Sequence, residues 1–272
     1  MEQGRKLAIL GAGNIGTSIA LGLVQSSLFR AQDIILTRRK IEHLEPLGRQ
    51  GYLLEQDNRA AVRRSEVILV AVEPQQINAV LDEIRPELVP DRHLVISVVT
   101  GVSIAQIRRH VGEEVAVVRA MPNTAIAIRE SMTCLASGHQ HADSVKIAIS
   151  IFETMGKVLV ITEEQMTAAT ALGACGIAFF LRAIRAASQG GIEIGFHSSD
   201  ALLIAAQTAK GAASLMVAEG RHPEDEIDKV TTPRGCTISG LNQMEHEGFS
   251  SAMIKGIVTS AEKASKLYRN DS

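Results

Sequence analysis

The hexapeptide Gly11-Ala12-Gly13-Asn14-Ile15-Gly16 follows the apolar run Leu7-Ala8-Ile9-Leu10 and opens a helical pattern that begins at Ile15 and Ile19. No other feature constrains the fold as strongly, because G-x-G-x-x-G acquires its meaning from a strand–turn–helix setting. In that setting Gly11 allows the tight turn and Gly13 lets backbone approach a pyrophosphate. Gly16 lets helix and strand pack closely, and phosphate charge rests on N–H groups at the helix start. The plain alternative, glycines that only make a turn, loses ground because the motif ends the first strand of a chain that keeps alternating strands with helices.

Asp33-Ile34-Ile35-Leu36-Thr37 reads as a second strand carrying Thr37-Arg38-Arg39-Lys40 at its carboxyl end. An acidic side chain there holds a ribose 2′-hydroxyl, whereas Arg accommodates a 2′-phosphate, so Arg38 and Arg39 predict NADPH in preference to NADH. Asp33 precedes the strand and is set aside. The alternative for the basic run is a solvated helix start. Gly51-Tyr52-Leu53-Leu54, a helix around Arg59 to Arg64, and Val67-Ile68-Leu69-Val70-Ala71-Val72 follow, the last ended by Glu73-Pro74. Ala71 to Pro74 then stand at the carboxyl end of the fourth strand, beside the cofactor crevice. His93 to Val98 is a further strand and leads to a helix capped by Ser103. Val115 to Arg119 is another, after which Ala120-Met121-Pro122-Asn123-Thr124 is expected as a loop. Met132 to Ala136 and Lys157 to Ile161 complete the strands, around a helix through Val145, Ile149 and Phe152.

From Glu163 onward the segments 165–172, 178–194, 200–218 and 250–267 carry helical spacing and abundant Ala. The expected architecture is an α/β, N-terminal Rossmann-type dinucleotide-binding domain over 1–162 followed by an all-α C-terminal domain over 163–272. The stretch Ala201-Leu202-Leu203-Ile204-Ala205-Ala206 leaves little polar face, which predicts a homodimer or higher homo-oligomer built through the helical domain. The 28 basic and 30 acidic residues nearly cancel, so neither nucleic acid nor an anionic membrane is an expected partner, and a small molecule is. No apolar run is read as approaching the roughly 20 residues of a membrane span. Arg5-Lys6 leads straight into a buried strand without a cleavage pattern, and the expectation is a cytoplasmic protein. Cys134, Cys175 and Cys236 read as reduced thiols, and His139, His141, His197, His222 and His246 form no metal-binding spacing, so neither a disulfide nor a metal is expected.

Ile227-Asp228-Lys229-Val230-Thr231-Thr232-Pro233-Arg234-Gly235-Cys236-Thr237 resembles the signature L-[RK]-D-x-V-[ST]-[ST]-P-G-G-x-T of pyrroline-5-carboxylate reductases. Val118 to Thr124 is similar to that family's VIRxMPNT, Ala71 to Gln75 to its AVKPQ, and Gly190 to Gly195 to its GGVxxG. The resemblance implies NADPH-dependent reduction of 1-pyrroline-5-carboxylate to L-proline, the last step of proline biosynthesis. By position it implies that Leu10, Gly11, Ala12, Gly13, Asn14 and Ile15 touch the dinucleotide together with Arg38, Asn58, Ala71, Val72, Glu73 and Pro74. Gly235, Cys236 and Thr237 would cradle the substrate carboxylate and ring nitrogen, with Thr232 and Asn123 as further substrate residues and Thr237 as the catalytic hydroxyl. The chain departs from the family at Glu73, where Lys is usual, at Ala125 after MPNT, at Gly173 to Phe179 in place of SGSGPAY, and at Arg234, the first Gly of PGG.

Thr237 also suits the cap of a helix beginning near Ile238, and the two roles are compatible. Cys236 lacks a His and Asp or Asn partner at nucleophile spacing and reads as a packing residue. Lys210, mid-helix, lacks the glycine-rich surroundings of the catalytic Lys of β-hydroxyacid dehydrogenases. Two alternatives to the family reaction are an NADPH-dependent imine or β-hydroxyacid reductase of the same architecture, and a non-catalytic dinucleotide-binding sensor.

Overall fold

The computed structural model describes residues 5–138 and 142–265, so His139 and His141 lie outside the described residues. Among the described residues eight strands form one sheet: β1 Leu7–Leu10, β2 Ile34–Thr37, β3 Leu53–Glu55, β4 Val67–Val70, β5 Leu94–Ser97, β6 Ala116–Met121, β7 Ser131–Ser137 and β8 Gly156–Val160. Their order is β3-β2-β1-β4-β5-β6-β7-β8. Every neighbouring pair is parallel except β6 with β7. The connection between those two is too short for the crossover a parallel pair needs.

Continuous apolar runs such as Leu7–Leu10 and Val67–Val70 are buried along their whole length, as strands covered on both faces must be. Alternate side chains go to opposite faces. Leu7 and Ile9 pack with Ile19 and Leu23 of helix α1 (Asn14–Gln25) and with Ile151 and Phe152 of the later helix Ala142–Phe152. Ala8 and Leu10 pack on the other face with Ala61 and Val62 of the helix Asn58–Arg63, with Ile77, Leu81 and Ile84 of Ile77–Ile84, and with Ile104, Ile107 and Val111 of Ile104–Val111. Spacings of three and four residues put each of these triads on one helical stripe. Ser103 caps the helix Ile104–Val111 as predicted, in a capping box with Gln106.

Two elements differ from the sequence reading. β6 runs on through Ala120 and Met121, which pair antiparallel with Leu135 and Cys134, so this stretch is strand before it is loop. The helix Pro223–Val230 was not foreseen; Pro223 in its first turn, followed by Glu224, Asp225 and Glu226, is the start signal that marks it.

One compact unit is built within Met1–Ala174 and Ala261–Ser272, and a second is Cys175–Ser260. The second contains the helices Gly176–Glu193, Ser198–Glu219, Pro223–Val230 and Cys236–His246 and most of Phe249–Ala264. Gly191 is pressed against Ala201, whose Cβ would lie 3.0 Å from a Cβ at the glycine. Among the described residues of this unit only Gly176, Ser188 and Ala201 are buried, while Leu203 is 69% and Val217 70% exposed. The expectation that no apolar run nears a membrane span is corrected here. Glu163–Glu193 and Ser198–Ala218 are long and apolar enough to cross one by length and composition. Their Ala, Gly and Thr residues interrupt the Leu and Ile runs without making them polar. These apolar helices are the face that association would cover.

Candidate active site

The carboxyl ends of β1, β2 and β4 meet where strand order reverses, the place at which open α/β sheets bind ligands. A cavity of about 700 Å³ opens there, lined by Gly11, Gly13, Thr37, Arg38, Arg39, Asn58, Ala71, Val72 and Glu73 among others. Gly11 has φ +88°, and a Cβ on it would lie 2.6 Å from Val72 Cγ1 and 2.9 Å from the Ala71 carbonyl oxygen. At Gly16 a Cβ would come within 2.9 Å of the Gly11 carbonyl oxygen and 3.0 Å of Ile9 Cγ2, the close helix–strand packing that the fingerprint implies. Gly13 has nothing within 4 Å of that position. It is also the N-cap of α1 and supplies no side-chain cap, so the first N–H groups of the helix stay available to an anion. Gly11 and Ala12 are already committed, both donating to the Thr37 carbonyl at 3.2 and 2.8 Å. This cradle fits a dinucleotide pyrophosphate.

Across the cavity Thr37 Oγ1 donates to Asn58 Oδ1 at 2.7 Å, and Asn58 Nδ2 donates to Glu83 Oε2 at 2.9 Å, which fixes the amide's orientation. Arg38 reaches back toward the Ala12 carbonyl at 3.5 Å, while Arg39 is exposed at the rim. Leu10, Ala12 and Gly16 are buried beneath the loop, and Asn14, Ile15 and Pro74 lie outside the wall. Lys40 of the basic run lines it too, as do Gln56, Gln76, Ala79, Val80 and Glu83, which no motif marks. Ala79, Val80 and Glu83 share one face of the helix Ile77–Ile84, and only the position of that face marks them. Glu73 puts a carboxylate on the wall and accepts from Gln76 Nε2 at 3.3 Å. The basic run opposite offsets that charge toward an anionic ligand.

The second unit carries Thr232, Gly235, Cys236 and Thr237 together. Gly235 N–H donates to the Thr232 carbonyl at 2.9 Å, closing a turn with Pro233 and Arg234 at its centre. Arg234 adopts φ +59°, the left-handed conformation that the third position of a type II turn demands and that Gly or Asn normally fills. Gly235 is itself confined, since a Cβ would meet Thr232 Oγ1 at 2.5 Å. It is the N-cap of the helix Cys236–His246, so the helix starts at Cys236 and Thr237 lies inside its first turn. The capping role considered for Thr237 is therefore taken by Gly235. The Thr237 side chain is exposed and makes no hydrogen bond among the described residues, which leaves its hydroxyl beside N–H groups that lack helical acceptors.

Asn123 belongs to the first unit, in the β6–β7 connection. Its Oδ1 accepts from Ala125 N–H at 3.0 Å and its Nδ2 donates to the Gly173 carbonyl at 3.3 Å. Gly173 sits in a π-helical turn, Thr170–Cys175, where the chain departs from the family's Ser-Gly-rich pattern. Cys134 is buried, and burial pushes its thiol up, away from reactivity.

Residues 163–267 match the family model described as pyrroline-5-carboxylate reductase dimerisation, and residues 6–101 the one described as NADP oxidoreductase, coenzyme F420-dependent. Pyrroline-5-carboxylate reductase 1 of Dictyostelium discoideum is 55% identical over 96% of this chain, which spans 50% of that relative's length. Pyrroline-5-carboxylate reductase 2 of the same organism is 46% identical over 98% of this chain and 94% of its own. A crystal structure of Plasmodium falciparum pyrroline carboxylate reductase with NADP bound superposes with a TM-score of 0.88 at 24% identity, covering 97% of this chain and 98% of its own. That likeness is one of fold.

Proposed function

The chain belongs to the pyrroline-5-carboxylate reductase family, and from that premise we propose that it reduces 1-pyrroline-5-carboxylate to L-proline with NADPH. The observation that carries the reading is the turn Thr232–Gly235 running into a helix start, with the Thr237 hydroxyl, which has no partner among the described residues, beside it. NADPH, when bound, supplies the hydride that turns the C=N bond into C–N. The Gly11 to Gly16 loop and the first turn of α1 hold the pyrophosphate, and Arg38 and Arg39 face the 2′-phosphate. Gly235, Cys236 and Thr237 offer backbone N–H donors to the substrate carboxylate. The Thr237 oxygen accepts from the protonated ring nitrogen, which already carries its proton, so no separate acid is required. Positioning and electrostatic complementarity are then the protein's whole contribution.

In this account residues 1–162 serve the dinucleotide and 163–272 the substrate and association, with Thr232 and Asn123 supporting the substrate. The chain is a homo-oligomer through its helical part, where a second copy covers Leu202, Leu203 and Ile204, and it works in the cytoplasm. Initial rates of NADPH oxidation on mixing with 1-pyrroline-5-carboxylate test the reading. Turnover with formation of proline is expected, and its absence with a folded, NADPH-binding protein overturns it.

A further inference from the structure

A second cavity, of about 250 Å³, lies at the carboxyl ends of β5 and β6, two strands along the same sheet edge from the dinucleotide cavity. Its walls include Thr100, Ser103, Thr167 and the charged side chains Arg119, Glu163 and Glu164. Arg119 pairs across the sheet with Ser97, and its side chain is only 9% exposed. One guanidinium nitrogen, Nη1, donates to Glu163 Oε1 at 3.1 Å. The same oxygen accepts from Ile104 N–H at 2.6 Å, and Glu163 Oε2 has no partner among the described residues. Burial lowers the Arg119 pKa while Glu163, the carboxylate paired with it, opposes the fall; Glu164 is a second, exposed carboxylate on the wall.

This is a dipolar site with spare capacity on both sides. An arginine has five N–H donors, only one of which is seen used here, and a planar carboxylate fits its fork. A lone carboxylate ligand would crowd two anions onto one buried cation, and a lone amine would leave Arg119 competing for Glu163. A zwitterion does neither, because its carboxylate takes Arg119, its ammonium takes Glu163, and no buried charge is left unpaired. The volume is below that of drug-sized pockets and suits a single small ring or a short side chain.

We propose that this cavity binds a small zwitterionic amino acid, cyclic or open-chain, carboxylate on Arg119 and ammonium on Glu163, at a site separate from the Gly235–Thr237 turn. It stands independently of the reductase reading, which NADPH oxidation tests by itself. The test is calorimetric titration of L-proline into the full chain carrying Thr237→Ala, which removes the hydroxyl of the substrate turn but leaves its backbone donors, so the cavity variants below assign the binding. Saturable binding with a Kd of order 1 mM is expected, unchanged by saturating NADP⁺. Pyrrolidine, without the carboxylate, and cyclopentanecarboxylate, without the amine, should each bind at least about tenfold more weakly. Adding Arg119→Gln with Glu163→Gln, which removes both charges together, should lower proline affinity at least about tenfold. Thr167→Phe, which fills the cavity without touching the ion pair, should do the same and serves if the charge-free variant fails to fold. Absent proline binding, equal binding of all three probes, proline affinity unaltered in a folded variant, or full competition by NADP⁺ would each overturn the proposal.

Discussion

Gly11 and Val72 are packed so closely that a Cβ on the glycine would stand 2.6 Å from Val72 Cγ1, at a backbone φ of +88°. Two independent reasons thus forbid a side chain at the first glycine of the fingerprint, and one obstruction, the Ala71 carbonyl oxygen, is backbone that cannot rotate away. Gly11→Ala should destabilise the protein by about 2–4 kcal/mol, read as a lower midpoint in denaturant unfolding. Gly13→Ala should leave that midpoint nearly unchanged, because nothing lies within 4 Å, and should instead weaken NADPH binding.

Arg38 lines the dinucleotide cavity at the end of β2, where the 2′-phosphate is expected. Replacement by Ala removes a charge-assisted hydrogen bond worth about 1.5–3 kcal/mol, or roughly 10–100-fold in affinity. Fluorescence titration should show this loss for NADPH and little change for NADH. Equal losses for both would remove Arg38 from the phosphate.

Arg234 holds φ +59° in the turn before Gly235, where the family carries Gly. A non-glycine residue pays roughly 1–2 kcal/mol for the left-handed conformation, and glycine returns about 0.5–1 kcal/mol of that through unfolded-state freedom. Arg234→Gly should therefore raise stability by up to about 1 kcal/mol in thermal unfolding. A fall in stability would mean that the arginine side chain makes a compensating contact.

His93 is buried before β5, and its Nδ1 accepts from Val89 N–H at 2.8 Å. Burial is the largest cause lowering its pKa, with Arg92 adding to it, so the folded state favours the neutral ring. The unfolded chain binds the proton more readily, so this contribution is complete above the ordinary histidine value of about 6.5 and is lost as pH falls below it. Stability should decline below that pH by at most about 1.4 kcal/mol per unit from this group, and His93→Gln should flatten the decline. An identical slope in the variant would assign it to other groups.

Much of this was legible in the residues. The roles of Gly11 and Gly16 are steric facts that follow from a tight turn against a strand, and the continuous apolar runs at Leu7–Leu10 and Val67–Val70 could only be strands buried on both faces. The extension of β6 to Met121 was hidden because its cause is pairing with Leu135 and Cys134 across the β6–β7 connection, which no residue of β6 itself announces. Ala79, Val80 and Glu83 have no chemistry that marks them as cavity residues; the register of one helix brings them there. Thr237 looked like a cap because Gly235 lacks a side chain to announce itself, yet its extended backbone ends the turn and starts the helix.

The claim that this chain reduces a cyclic imine held at the Gly235–Thr237 turn is tested most directly by steady-state kinetics of the wild type, Thr237→Ala and Thr237→Ser with NADPH and 1-pyrroline-5-carboxylate. The account predicts turnover in the wild type and a loss in kcat/KM for Thr237→Ala below the 10²–10³-fold at the high end for single site donors, about tenfold or more, since the backbone donors remain. It predicts near-full activity in Thr237→Ser and unchanged NADPH affinity in both variants. Wild-type kinetics in Thr237→Ala, with proline formed at the normal rate, would contradict it.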